Sequence, residues 1–199
     1  MAVKDDRWLN EAIASLDAQT FRDFEMVLIV DHVGHGLAHC LNRAARLARG
    51  YYLARLDADD LAYRHRFQQQ VTVLNAYHNI NILGSWATLI TQDGDRIGTF
   101  APNHDNYPWR NPLIHSSVMA RREVFEEAGG YDETLSLCQD FDLWLRIGSL
   151  AILPEPLVFL RQHAGQMSRR TWARRYAQWI IRRRWANTLA DTPNATAVR

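Results

Sequence analysis

Three carboxylates stand within four positions in Asp57-Ala58-Asp59-Asp60. They follow Tyr51-Tyr52-Leu53-Ala54-Arg55-Leu56, an apolar run that reads as a buried strand. Carboxylates at the carboxyl end of such a strand sit where open α/β sheets bind their ligands. So close together, they repel one another unless a cation or many donors neutralise them. Mg²⁺ or Mn²⁺, held by one or two carboxylates and completed by substrate phosphates, would do so. The same residues also fit a solvated turn in which an aspartate caps a helix beginning at Leu61.

The elements that must position this cluster alternate along the chain. Trp8, Leu9, Ala12, Ile13 and Leu16 recur at helical spacing over 6–19, with Asp5 or Asp6 available as a cap. The apolar run 26–30 ends in Asp31 and predicts a buried parallel strand. Gly34 and Gly36 turn the chain into a helix over 37–49 that stops at Gly50. Beyond the carboxylates come a helix over 64–76, a strand over 80–90, and a second strand over 97–100 joined through Asp93-Gly94-Asp95. The stretch 101–112 is polar, holds Pro102, Pro108 and Pro112, and reads as loop. A strand over 115–120, a short helix over 121–128 closed by Gly129-Gly130, and a helix over 139–148 follow. The segments 150–153 and 156–161 are extended, 170–189 is a long helix, and the tail 191–199 reads as flexible. Early alternation of strands and helices with a later hairpin predicts an α/β fold, a mixed sheet flanked by helices.

Composition narrows the setting. The chain has 199 residues, enough for one domain with a substantial core. A net charge of +1 points to no nucleic-acid partner. Cys40 and Cys138 have neither metal-ligand nor disulfide-framework spacing and read as buried free thiols. No apolar run reaches membrane-spanning length, and a reducing, cytoplasmic setting is expected.

Several separated segments, in order, resemble family 2 glycosyltransferases, inverting nucleotide-sugar enzymes with the GT-A (Rossmann-like) fold. Residues 15–25 (SLDAQTFRDFE) look like the family's first helix and its approach to the second strand. Leu41-Asn42-Arg43-Ala44 and the run 48–60 look like the segment carrying its DxD signature. His115-Ser116-Ser117-Val118-Met119 and Gly129-Gly130-Tyr131-Asp132-Glu133 match its acceptor side. Asp140-Phe141-Asp142-Leu143-Trp144-Leu145-Arg146 resembles the helix bearing its catalytic base, and His163 with Gln166 and Ser168 its closing segment. The likeness spans residues 1–170 as a single domain, with 171–190 a separate basic helix.

The resemblance implies a metal-dependent, inverting transfer from a nucleotide-sugar, a UDP-sugar by preference, to a saccharide or lipid-linked acceptor in surface polysaccharide assembly. Asp59 is then the metal ligand, Asp57 helps with metal or ribose, and Asp31 contacts the uracil. His163 meets the metal or the diphosphate, and Asp140 is the base. Trp144, one turn on, would shield Asp140 from water. Asp140 also reads as a carboxylate favoured by a helix N-terminus, Asp31 as a strand-end turn, and His115 and His163 as structural histidines.

Three departures stand out. Met1 to Lys4 resembles only the end of the family's first strand. After Asp31 a helix and a strand of the nucleotide-binding half are absent. Gln139 replaces an acidic residue and Arg64 a proline. A shortened sheet exposes edges and apolar surface, which a second copy of the chain would cover. The second hypothesis is therefore a catalytically silent remnant acting as a protein-interaction module. A phosphoryl-transfer enzyme is a weaker third, since no phosphate-cradling glycine loop is present.

From Arg161 to Arg184 there are eight arginines and no acidic residue, and Trp172, Tyr176, Trp179, Ile180 and Trp185 interleave with them. Such a helix either rests on an anionic membrane or packs its aromatic stripe on the protein with its arginines in water.

Overall fold

In the computed structural model, residues 1–3, 7–102, 105, 107–164, 171–185 and 196–197 are described. Strand β1 (Ala2–Val3) leads to α1 (Leu9–Asp17), whose Ala12 and Leu16 are buried as the helical spacing predicts. Strand β2 (Ile29–Val30) pairs in parallel with β1. Helix α2 (Leu37–Leu47), β3 (Tyr52–Ala54), β4 (Leu61–Ala62) and α3 (Arg66–Ala76) follow. Strand β5 (Ile82–Ile90) folds back into β6 (Arg96–Phe100) as the predicted hairpin. A 3₁₀ turn (His115–Ser117) opens into β7 (Met119–Arg121), α4 (Arg122–Glu127) and α5 (Gln139–Ile147). Then come β8 (Leu150–Arg161), α6 (Thr171–Arg184) and β9 (Thr196–Ala197).

The expected mixed sheet is present. Its strands run in the order β3-β7-β5-β8-β4, with β6 added on β5 and β9 on β8. Side-chain alternation divides the core in two. Ile82, Ala120, Leu150 and Ile152 face α2, α4, α5 and α6, where Phe141, Leu143, Trp144 and Ile181 lie. Leu83, Met119, Ala151 and Leu153 face α1 and α3, with Ala12 and Leu74. The extended segments 150–153 and 156–161 are one strand, and its register against β5 slips where Pro154 and Pro156 cannot donate. Gly84 permits a close crossing, because a Cβ there would lie 2.8 Å from Leu113 Cδ2.

Residues 15–20 lock the carboxylate segment in place. Ser15 Oγ accepts the Ala62 amide at 3.0 Å, and buried Gln19 takes the Phe67 amide at 3.1 Å while donating to the Tyr63 carbonyl at 2.8 Å. On the opposite side Asn42 clamps the glycine turn after α4. It donates to the Tyr131 carbonyl at 2.9 Å and accepts the Tyr131 amide at 2.8 Å. Gly130, at φ +69°, must lack a side chain there, since a Cβ would stand 2.6 Å from Asn42 Oδ1.

Several local expectations are corrected. Helix α2 ends at Leu47, because Ala48 is already extended. β3 is not buried: it is the sheet edge, and Tyr51 beside it is 90 % exposed. No helix begins at Leu61, so Asp60 is not a helix cap; Leu61–Ala62 pairs with β8 instead. The segment 115–120 turns before it extends, with Ser117 Oγ donating to the Ile114 carbonyl and accepting the Ser85 amide. Helix α6 is described to Arg184. Asp5 and Asp6, Gln166 and Ser168, and the tail 191–199 apart from Thr196–Ala197 lie outside the described residues.

The departures at the N-terminal end have a structural counterpart. β1 and β2 form their own two-stranded sheet, separate from the seven-stranded one. Between them and the outer edge of β3 lies a cavity of about 950 Å³, lined by Leu16, Phe24, Leu41, Leu53, Phe67 and Phe125 among others. The Met1 amino group reaches into it, donating to the Val27 carbonyl at 2.7 Å, and burial pushes its pKa down to about 5.

Candidate active site

The sheet brings the three carboxylates into different surroundings. Asp57, after β3, pairs through Oδ1 with the guanidinium of buried Arg55. Its Oδ2 accepts the Ser116 hydroxyl at 2.6 Å. Burial by itself would raise the Asp57 pKa; Arg55, His115 and Ser116 together hold it below the ordinary value. Asp60 is 1 % exposed. Its Oδ1 accepts the Arg161 amide at 2.8 Å, and its Oδ2 lies 2.5 Å from Ser116 Oγ. Burial, then the charges of Asp57 and Asp59, push the Asp60 pKa well up. Ser116 has one hydroxyl proton and cannot donate to both aspartates. A protonated Asp60 donating to Ser116, which donates to Asp57, satisfies every contact.

Asp59 turns the other way. Its Oδ2 lies 2.8 Å from His163 Nε2, and both side chains are partly exposed. Trp8 tilts against the His163 ring at 4.8 Å, and the Arg161 guanidinium lies 5.3 Å over the same indole. Arg161 also donates to the Asp59 carbonyl at 2.9 Å and to Glu11 at 2.8 Å, so it ties β8, α1 and the carboxylate turn together. No group of three potential metal-ligating side chains converges among the described residues. Magnesium needs none: it keeps waters and takes one or two carboxylates plus substrate phosphates. In this structure Asp59 and His163 hydrogen-bond to each other, so a bound ion would take the place of the proton they share; the carboxylate suits Mg²⁺ or Mn²⁺.

Asp140 lies in the first turn of α5, which follows Cys138 in a left-handed conformation at φ 58°. The Asn111 amide donates to Asp140 Oδ2 at 2.6 Å. Trp144 is buried one turn later, edge-on to His115 at 6.0 Å. His115 Nε2 meets the Tyr131 hydroxyl at 2.8 Å. Burial, then Arg55, push the His115 pKa down, while Asp140 and Asp57 both oppose that shift. Asp57 and Asp140 thus both lie within electrostatic range of this one imidazole.

Asp31 is not drawn into this cluster. Its Oδ1 accepts the amides of Gly34 at 2.8 Å and His35 at 3.0 Å, and its Oδ2 that of Gly36 at 3.0 Å. These bonds, Gly36 and His35 foremost, hold its pKa down at about 2. Among the described residues no hydrogen bond or ion pair links it to Asp57, Asp59 or Asp140.

Arg55, Ser116, Asn111 and Arg161 had no assigned role in the sequence, yet they hold the carboxylates in place. Arg55 carried a signal: a charged residue inside an apolar strand must find a buried partner. Asn111 carried none, since it lies in a polar loop.

The profile of glycosyl transferase family 2 matches residues 28–129, just over half of the chain. The chain belongs to glycosyl transferase family 2. That span includes Asp57, Asp59 and Asp60, and ends before Asp140 and His163. Among curated relatives, the O-antigen biosynthesis glycosyltransferase WbnJ of Escherichia coli is 25 % identical over 172 residues, covering 71 % of this chain and 67 % of WbnJ. Among solved structures, S. aureus TarS in complex with UDP-GlcNAc superposes with a TM-score of 0.74 at 13 % identity, covering 96 % of this chain and 65 % of that one. The mannosyltransferase PcManGT from Pyrobaculum calidifontis, in complex with GDP-Man and Mn²⁺, gives 0.65 at 16 % identity, covering 97 % and 64 %. The two structural likenesses establish the GT-A fold; this family 2 chain spans just under two thirds of each of those proteins.

Proposed function

We propose that this family 2 chain transfers a sugar with inversion from a nucleotide-sugar, a UDP-sugar by preference, to a saccharide or lipid-linked acceptor, on the cytoplasmic side of surface polysaccharide assembly. The observation that carries the reading is Asp59, two residues from Asp57 and hydrogen-bonded to His163 at 2.8 Å, together with Asp140 held by Asn111 at 2.6 Å in the first turn of α5. Asp59 and His163 would hold Mn²⁺ or Mg²⁺, with Asp57 beside them. When bound, the ion offsets the negative charge that grows on the leaving diphosphate. Asp57 keeps a lone pair on each oxygen after its bonds to Arg55 and Ser116, enough to accept a ribose hydroxyl. Asp31 Oδ2 takes one backbone amide against two on Oδ1, so it would be the oxygen that meets a uracil N–H.

Asp140 is the base. Asn111 fixes its Oδ2, and its Oδ1 takes the acceptor hydroxyl proton. The acceptor oxygen then bonds to the anomeric carbon from the face opposite the diphosphate. The carbon–oxygen bond to the diphosphate breaks, and its electron pair leaves with the nucleotide.

Calorimetric titration of UDP, with Mn²⁺ and with chelator, tests the donor half. Binding should need the metal and weaken at least about tenfold in Asp59→Ala. Asp140→Asn should keep UDP binding and lower turnover by about 10²–10⁴. The cavity beside β3 favours the second reading, a silent interaction module. Metal-independent failure of the folded protein to bind UDP would support that reading and sink the transferase.

A further inference from the structure

Helix α6 presents two unlike faces. Ile181 is 1 % exposed, and Ala177 and Trp185 pack beside it on the core. Trp185 Nε1 donates to Asp142 at 2.9 Å, and Arg184 pairs with Asp132 at 2.7 Å. Of these, Ile181 is the main anchor, because a half-exposed ion pair stabilises far less than a fully buried side chain. The packing reading of this helix is thus right for one face.

The other face carries Tyr176, Trp179 and Ile180, which are 60 %, 44 % and 42 % exposed. With Arg183 they occupy positions i, i+3, i+4 and i+7, a single stripe. The Tyr176 and Trp179 rings stack at 5.9 Å, and the Arg183 guanidinium sits 4.5 Å over Trp179. Arg175 and Arg183 are exposed, and no acidic residue lies between Arg161 and Arg184. The patch continues onto the 107–111 loop. Arg182 donates to the Trp109 carbonyl at 3.2 Å, and Trp109 is 58 % exposed.

Singly exposed aromatics need no explanation, but a stripe edged by cations does. A protein groove receiving a helix wants apolar anchors at i, i+3, i+4 and i+7. Here the last anchor is an arginine, and the rings are amphipathic Trp and Tyr. Those rings suit the headgroup depth of a bilayer, and the exposed Arg175 and Arg183 suit lipid phosphates.

We propose that the exposed face of α6, together with Trp109, docks this protein on the surface of an anionic lipid bilayer. The docking rests on this surface alone. Its bearing on the acceptor rests on the transferase reading: Trp109 stands two residues before Asn111, which holds Asp140. The base would then open toward the membrane, where a lipid-linked acceptor is presented.

Co-sedimentation of the full chain with vesicles tests the proposal. Vesicles of phosphatidylcholine with about one third phosphatidylglycerol should bind the protein, and pure phosphatidylcholine should bind it weakly. Arg175→Glu with Arg183→Glu should lower partition at least about tenfold. Tyr176→Ser with Trp179→Ser should abolish the part of binding that survives high salt. All four side chains are exposed, so circular dichroism and the melting midpoint should stay unchanged in both variants. Equal or no binding to the two vesicle types overturns the proposal, as does wild-type binding by both variants. Competition by free glycerol phosphate overturns it too, marking a single-headgroup site, and capture of a soluble protein by this face in place of vesicles assigns it to a protein partner. UDP titration of the same variants reads the donor site separately, so failure of docking leaves the transferase reading intact.

Discussion

Asp60 takes the Arg161 amide through one oxygen and meets Ser116 through the other, both out of contact with water. An asparagine reproduces this pattern, accepting from Arg161 and donating to Ser116 Oγ. Asp60→Asn should therefore melt within about 1 kcal/mol of wild type, whereas Asp60→Ala should cost about 1–3 kcal/mol by leaving the buried Arg161 amide unpaired. Chemical denaturation of the two variants at neutral pH measures the difference. The neighbouring aspartates have other fates. Arg55 and Ser116 engage Asp57, and Asp59 faces His163. Chain spacing made all three look like one acidic cluster, because spacing cannot say which oxygen a distant arginine or serine will occupy.

Among elements, α6 joins the core through Ile181, with Ala177 and Trp185 packed beside it. Its polar clasp is the Asp132–Arg184 pair beside the Tyr131 turn. The Thr134 hydroxyl, then Arg184, hold the Asp132 pKa down from 3.8 to about 2. A carboxylate depressed on folding contributes stability that is complete above its unfolded pKa and lost as pH falls toward the folded one. The clasp should therefore hold above pH 3.8 and release between 3.8 and about 2. Hydrogen exchange should show the α6 amides losing protection over that window ahead of β5 and β8, and Arg184→Ala should abolish this early step. The 3₁₀ turn at 115–117 is an element that sequence reading missed. The apolar residues that follow it, Val118 to Ala120, favoured a strand throughout, but Ser117 bonds back to Ile114 and His115 meets the Tyr131 hydroxyl.

Across the whole molecule, the separate β1–β2 sheet leaves apolar surface uncovered. Met26, Leu28 and Val30 are 37 %, 37 % and 43 % exposed, and Val33 is 78 % exposed. The open cavity adds the unpaired edge of β3. Exposed apolar edges of this kind associate or bind hydrophobic dyes. The native chain should raise ANS fluorescence and sediment as a dimer at micromolar concentration. Val30→Lys with Val33→Lys should shift it to monomer. A native monomer that leaves ANS dark would rule out this surface as an interface.

The sequence alone determined the order of elements, the mixed sheet, the placing of carboxylates at the end of β3 and the start of α5, and the family. Those features rest on local periodicity, on glycine and proline punctuation, and on residues a few positions apart. Only the tertiary structure decided which aspartate faces a histidine, which is sealed by an arginine, and which face of α6 meets the core. Asp59 and His163 are 104 positions apart, as are partners such as Asp60 and Arg161 at 101. Contacts at that range are set by how β5 and β8 pair and by which oxygens remain once buried donors are satisfied, and no local period encodes either.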